Sequence, residues 1–318
     1  MPTSEHVPPR KDLSIGGQAV IEGVMMRSPT AIATAVRLPD GTIELKKQPF
    51  QSFVQRHRLL NIPVVRGAIN FVEMLFIGIE TLNWSADMQM QYEDRLNGAE
   101  TKKRSSNSLV LWGTMAFSMA MVILLFFTLP IAIATWMGLS KGALLFNTVA
   151  GAVRLALFLA YVVAISRMED IQRVFRYHGA EHMSIFAYES AEQPLDVASA
   201  RSRSRFHPRC GTSFILIVAL FAIFFFGIAD SLFPSVFGHA QSFLERLATH
   251  LLLLPVVAGL SYELLKLSGR YQSRGLVRAL ILPGLWLQKL TTRQPDDEML
   301  EVALCALTAA LETGEAGS

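Results

Sequence analysis

Four long apolar runs organise the chain. Leu109 to Trp136 contains no charged side chain in 28 residues, Ala143 to Ser166 is interrupted only by Arg154, and Ser213 to Phe233 only by Asp230. Leu247 to Leu267 has His250 near one end and Glu263 and Lys266 near the other. A helix of about 20 apolar residues matches a hydrocarbon core of roughly 30 Å, so each run predicts a membrane-spanning helix. Pro130 and Pro255 fall inside the first and fourth runs. They read as kinks, because neighbouring helices can satisfy the carbonyls a proline frees. Arg154 falls near mid-bilayer and needs a partner there, with Glu73 and Glu80 as the candidates. Asp230 and His250, near the outer ends of their runs, read as solvated.

Two further apolar stretches are not spans. From Asn61 to Trp84, Val65, Ile69, Val72, Phe76 and Ile79 alternate at helical spacing with a polar stripe of Arg66, Asn70, Glu73 and Glu80. This predicts an amphipathic helix, lying in the interface or turning its polar stripe inward. Leu276 to Leu290, broken by Pro283 and Gly284, is too short to cross and reads as interfacial or re-entrant. Ala31–Leu38 and Thr42–Pro49 flank Pro39-Asp40-Gly41, a turn signal that predicts a small β-hairpin. Ser166 to Tyr188 keeps one apolar face without a proline and predicts a helical continuation of the second span. Asp296 and Asp297 open a short acidic helix through Leu311, their carboxylates suiting its positive N-terminal end. The expected fold is mainly α: a polytopic helical membrane protein with four transmembrane helices, amphipathic and interfacial helices, and a small cytoplasmic N-terminal β-hairpin.

Composition narrows the class. The 318 residues are 51% apolar and 17% charged, against about 25% charged in an average soluble protein. A net charge of +3 is too small to argue for nucleic acid. Residues 1–12 are polar, so no cleavable signal peptide is expected. Of 29 Lys and Arg, 13 precede the first span, 7 lie between Arg167 and Arg209, and 6 follow from Lys266 onward. The positive-inside rule then puts both termini and the central loop in the cytoplasm of a bacterial inner membrane, where Cys210 and Cys305 stay reduced. The divisions are an N-terminal cytoplasmic segment at 1–108, spans one and two at 109–166, a metal-binding loop at 167–212, spans three and four at 213–267, and an interfacial and C-terminal segment at 268–318.

The chemistry concentrates in that loop. His178-Gly179-Ala180-Glu181-His182 has the spacing H-x-x-E-H. Histidines four apart on a helix share a face and can reach one metal ion, and the intervening glutamate can act on a water there. The same order occurs in inverzincin hydrolases. His207-Pro208-Arg209-Cys210 adds an H-x-x-C pair just before the third span. An isolated histidine pair at a membrane surface is ordinarily interfacial; Glu181 and the second His/Cys pair favour a metal site. Zinc suits such a set best, with iron, nickel or another divalent metal as alternatives. Four ligands at once would close the site and make it structural. A catalytic site would have His207 or Cys210 replaced by water or a carboxylate. In the glycine-punctuated stretch from Gly16 to Arg27, Glu22 is either a further ligand or a partner for Arg27. Arg27 and Arg66 are the candidates to steady an anionic transition state, and Glu263 either reaches the metal region or pairs with an arginine.

Four motifs together resemble the YqhQ family of bacterial membrane proteins. They are Gly17-Gln18-Ala19-Val20-Ile21-Glu22-Gly23-Val24-Met25-Met26-Arg27, Tyr177-His178-Gly179-Ala180-Glu181-His182, His207-Pro208-Arg209-Cys210-Gly211-Thr212-Ser213 and Pro283-Gly284-Leu285-Trp286-Leu287-Gln288. The resemblance covers roughly residues 14 to 300. It implies a metal-dependent enzyme, an expectation that rests on the same histidines. Met183 stands where many relatives are expected to carry lysine. Two functions follow from the sequence. One is a zinc-dependent hydrolase at the cytoplasmic membrane surface, with Glu181 as general base. The other is a non-catalytic interaction or biogenesis factor, in which structural zinc lets the protein dock on another membrane complex. The expected partners are membrane lipid, such a complex, and further copies of the chain. A transporter is weaker, since only Arg154 is a midspan charge.

Overall fold

The computed structural model describes residues 15–97, 108–139, 144–190, 194–270 and 275–312; the polar start at 1–12 lies outside them. Four strands, β1 (Gly16–Val20), β2 (Gly23–Arg27), β3 (Ala31–Arg37) and β4 (Ile43–Pro49), form an antiparallel meander in the order β1-β2-β3-β4. The helices are α1 (Phe53–Arg56), α2 (Val65–Leu96), α3 (Ser108–Ile123), α4 (Leu129–Trp136), α5 (Leu144–Ile165), α6 (Glu169–Glu189), α7 (Val197–Arg201), α8 (Gly211–Phe237), α9 (Phe243–Arg270), α10 (Gly275–Thr291) and α11 (Asp297–Leu311). A π-helical turn, Leu124–Thr128, joins α3 to α4. Four helical stretches are long and apolar enough to cross a membrane: Trp112–Trp136, Leu144–Ile165, Gly211–Phe237 and Phe243–Leu267.

The expected hairpin is β3–β4. Its turn uses Gly41 at φ 86° and the Asp40 carboxylate, which accepts from Thr42 N at 2.9 Å. β1 and β2 extend it to a sheet. Both faces of β2 and β3 are buried, because helices cover the sheet on each side. Val24, Met26, Ala33 and Ala35 join a core with α6 and α11, whereas Val20, Met25, Ile32 and Val36 pack with Ile77, Met74 and Trp84 of α2. Two-sided burial explains the near-continuous apolar sequence of these strands. Asp296 caps α11 by accepting from Met299 N at 2.9 Å.

α2 ties this layer to the bundle through its polar stripe, with Glu80 at the exposed end. Arg66 grips Glu263 of α9 through two bonds of 2.6 and 2.5 Å, Asn70 meets Ser52, Glu73 caps Phe53 N, and Glu80 meets Lys46. Val72, Phe76 and Ile79 stay exposed beside this stripe. The α2–α9 seam is tight where Gly67 meets Gly259. A Cβ on Gly259 would stand 2.2 Å from the Val64 carbonyl oxygen, and Val64 itself holds a strained φ of 72° at the start of α2.

Three expectations change. α6 does not continue the second span: after Ile165 the chain turns through Ser166 and Arg167, and Met168 is extended at ψ 134° before α6 begins. The break holds because Arg293 Nη2 donates to the Ser166 carbonyl and Ser166 Oγ to Val163 O. Arg154 does not reach Glu73 or Glu80; its Nε donates to Phe126 O at 2.8 Å. That carbonyl is four residues before Pro130, which has no N–H to give it. Asp230 and His250 are not solvated. They are 3% and 5% exposed and bonded to each other at 2.9 Å, with Arg246 on the same carboxylate.

Gly259→Val wedges α2 off α9. Overpacking of this kind costs about 1–3 kcal/mol, so the melting temperature of the detergent-purified protein is expected to fall by several degrees. An unchanged melting curve would show that the seam does not contribute.

Candidate metal centre

α6 presents Arg173, Tyr177 and Glu181 at four-residue spacing, and His178 and His182 likewise on an adjoining line. Its middle is pressed against the linker between α10 and α11. Arg293 N donates to Phe175 O at 2.8 Å, and a Cβ on Gly179 would lie 2.1 Å from the Arg293 carbonyl oxygen. Glycine at 179 is what lets the linker pass this close. The approach brings the Thr291 carbonyl to His178, whose Nδ1 lies 2.8 Å from it. One turn along, His182 Nδ1 lies 2.5 Å from the Arg205 carbonyl. Carbonyls only accept, so both rings carry a proton on Nδ1 and direct Nε2 away from these contacts.

The other side of the centre is the start of α8. Cys210 is its N-cap residue, with Sγ accepting from Thr212 N at 3.4 Å and lying 3.1 Å from Thr212 Oγ1. His178 Nε2 is 3.2 Å from this sulfur. His182 Nε2 is buried with no hydrogen-bond partner among the described residues. One ligand atom from each of His178, His182 and Cys210 falls within 4.8 Å of the other two. Burial would raise the Cys210 thiol, but the His178 and His182 imidazoles outweigh it and hold the thiol well below its ordinary value. Burial likewise opposes charge on His178, yet the Cys210 sulfur reverses this and pushes the imidazole up to about 9. A soft thiolate and two imidazoles fixed through Nδ1 form a donor set that can hold a metal ion, and hydrogen bonds to backbone carbonyls are the usual means of orienting such histidines.

Glu181, 5% exposed, lies among the same groups. Burial raises its carboxyl above the carboxylate range, against the pull of His182 and His178. Its stem crosses β1 at Gly17, where a Cβ would stand 2.9 Å from Glu181 Cγ.

His207 is beside the cluster, its ring centroid 5.7 Å from that of His182, but both its nitrogens are engaged. Nδ1 accepts from Arg209 N at 3.3 Å and Nε2 lies 3.4 Å from Glu189. Burial, reinforced by His182, lowers its pKa to about 4. Its backbone forms a two-way pair with the Gln288 side chain, both bonds 2.8 Å. His207 thus fixes the approach to α8. Glu22, in the β1–β2 turn at φ 54°, pairs with Arg173 and lies 3.4 Å from Tyr177 Oη. Arg27 is on the α2 side of the sheet, 4.0 Å from Glu73 and over the Phe50 ring, and Arg66 is committed to Glu263. The structure therefore gathers His178, Glu181, His182 and Cys210, and holds Glu22, Arg27 and Arg66 in ion pairs elsewhere. Thr291, Arg205 and Gln288 were not singled out from the sequence. The first two act through backbone carbonyls, which no side-chain pattern reveals.

Residues 62–313 match the family described as a protein of unknown function, DUF1385. The chain belongs to that family. It is 35% identical over 314 residues to the uncharacterized protein YqhQ of Bacillus subtilis (strain 168), covering 95% of this chain and 92% of that one. No solved structure gives a significant match. Family membership agrees with the resemblance carried by the four motifs and names no cofactor or reaction.

If the three-atom cluster is the ligand set, the cobalt-loaded protein shows a thiolate-to-metal charge-transfer absorption. Cys210→Ser removes it, His182→Ala weakens metal binding at least tenfold, and His207→Ala leaves the band in place. Loss of the band in His207→Ala together with its survival in His182→Ala would reassign the site.

Proposed function

We propose that this DUF1385 protein is a membrane-embedded metalloprotein in which His178, His182 and Cys210 hold a zinc ion at the membrane surface and Glu181 serves a hydrolytic reaction. The observation that carries the reading is the pair of imidazoles anchored through Nδ1, with one free Nε2 buried and the other against a thiolate. Three protein ligands leave a fourth position open, the arrangement of catalytic rather than structural zinc sites. His207, with both nitrogens engaged, is not needed as a fourth. A zinc ion held there supplies Lewis acidity and an acidified water.

Glu181 is the general base in this reading. Its buried carboxyl, raised by burial above its ordinary value, suits a group that takes a proton and returns it. The Thr291 and Arg205 carbonyls act as positioning groups by fixing the two rings. The positive-inside distribution of Lys and Arg supports a bacterial inner-membrane location with the sheet and this centre on the cytoplasmic side. A structural zinc site serving a docking role is the second reading, favoured by the burial of His182 and Cys210.

Metal analysis and X-ray absorption on the purified protein separate the two. The hydrolytic reading expects about one zinc per chain with two nitrogens, one sulfur and one light oxygen donor. Glu181→Gln should keep the zinc stoichiometry while failing to restore function to a deletion strain. A shell of four protein ligands, or full complementation by Glu181→Gln, supports the structural role. Protein that neither retains nor takes up zinc overturns both readings.

A further inference from the structure

A second polar cluster lies inside the bundle, near the end remote from Cys210. It draws on every span. Asp230 of α8 bonds His250 of α9 through Oδ1 at 2.9 Å and Arg246 Nε through Oδ2 at 2.9 Å. Arg246 also donates to Asn147 of α5. Arg154, two turns further along α5, donates its Nε to Phe126 O in the π-helical turn and lies over the Phe127 ring at 5.5 Å. Phe127 in turn touches His250, its centroid 5.7 Å away.

The charges do not balance. Two guanidiniums, always protonated, face one carboxylate, so at least one positive charge is left over whether or not His250 is protonated. Asp230 is already shared by Arg246 and His250. The acids that the sequence offered, Glu73 and Glu80, are held by Phe53 N and Lys46. Of the five N–H donors of Arg154, one is used and the rest have no hydrogen-bond partner among the described residues. The side chain is half-buried. Side chains on a helix lean toward its N-terminus, so Arg154 reaches back toward the Leu144 end of α5, the end at which Asn147 and Arg246 meet. A lone charge at this depth calls for a counter-charge, and the planar guanidinium is suited to an oxyanion or a halide.

We propose that Arg154 is the receptor of a singly charged anion that completes this cluster, supplied either as a small free anion such as chloride or as the phosphodiester of an anionic lipid. The site is independent of the metal centre. α8 separates Cys210 from Asp230 by 20 residues, about 30 Å of helix.

Thermal unfolding of the purified full-length protein tests this in two arms. In the first, chloride replaces gluconate at constant ionic strength in a neutral detergent. In the second, phosphatidylglycerol replaces phosphatidylcholine in low-chloride nanodiscs. A saturable rise in melting temperature of several degrees is expected in one arm, and that arm identifies the source. Arg154→Gln should abolish the rise, whereas His178→Ala, at the other end, should leave it intact. Should Arg154→Gln fail to fold, Arg154→Lys keeps the charge without the fork and is expected to need several-fold more anion for half-saturation. No saturable response in either arm, or an unchanged response in the Arg154 variants, overturns the proposal.

Discussion

The hydrogen bonds from His178 Nδ1 to the Thr291 carbonyl and from His182 Nδ1 to the Arg205 carbonyl set the chemistry of the membrane-proximal layer. Each fixes the Nδ1 proton and a ring direction at once, and each comes from a different segment. Thr291 ends α10, and Arg205 lies in the loop between α7 and α8. The centre therefore exists only when α6, α10 and that loop are packed together. Much of the surrounding structure serves that packing. Arg293 spans the gap between α5 and α6, Gln288 clasps the His207 backbone and reaches Ser213 Oγ at 2.9 Å, and α11 braces α6 from the side of the sheet.

Electrostatics at the same place follow from the elements that meet there. Cys210 caps a 27-residue helix, so a thiolate at that position gains from the helix dipole as well as from Thr212 N and the two imidazoles. His207, only slightly further away, is driven the other way and stays neutral because its surroundings offer burial and an adjacent imidazole. His178 on α6 and His207 before α8 are thus driven in opposite directions, His178 upward by the adjacent Cys210 sulfur and His207 downward by burial and the His182 ring.

What could be read in the sequence divides along physical lines. The four spans were legible because length and hydropathy alone decide whether a helix can cross a bilayer. H-x-x-E-H was legible because helical spacing brings His178 and His182 to one face. The partner of Arg154 was not, since it is a backbone carbonyl, although Pro130 marks Phe126 as the residue whose carbonyl is freed. The Asp230–His250 pair was also within reach. The α8–α9 connection turns near residue 240, and residues ten before and ten after such a turn lie level in a helical hairpin. Treating each as a lone charge near a span end hid this. His207 was the hardest, because H-x-x-C looks the same whether the histidine points at a metal or at Glu189; only the Arg209 amide and the Glu189 carboxylate decide it.

The two polar centres also explain the character of α8. Cys210 lies before its first residue and Asp230 seven positions from its last, and the residues between are apolar apart from Thr212 and Ser213, which belong to the first centre. A buried charge is tolerable where several elements can converge on it, and in this bundle convergence occurs at the ends. One end is joined to the sheet through α10, α6 and the Arg66–Glu263 grip; the other is closed by Arg246 and Asn147. The apolar middle, with Leu216 packed on Val162 and Leu287, keeps the two sets of charges apart. Low dielectric strengthens each set internally, while a separation of about 30 Å leaves little direct Coulomb coupling between them. Coupling between the centres therefore has to be mechanical, carried by a shift or rotation of α8 as a rigid element against α5 and α9.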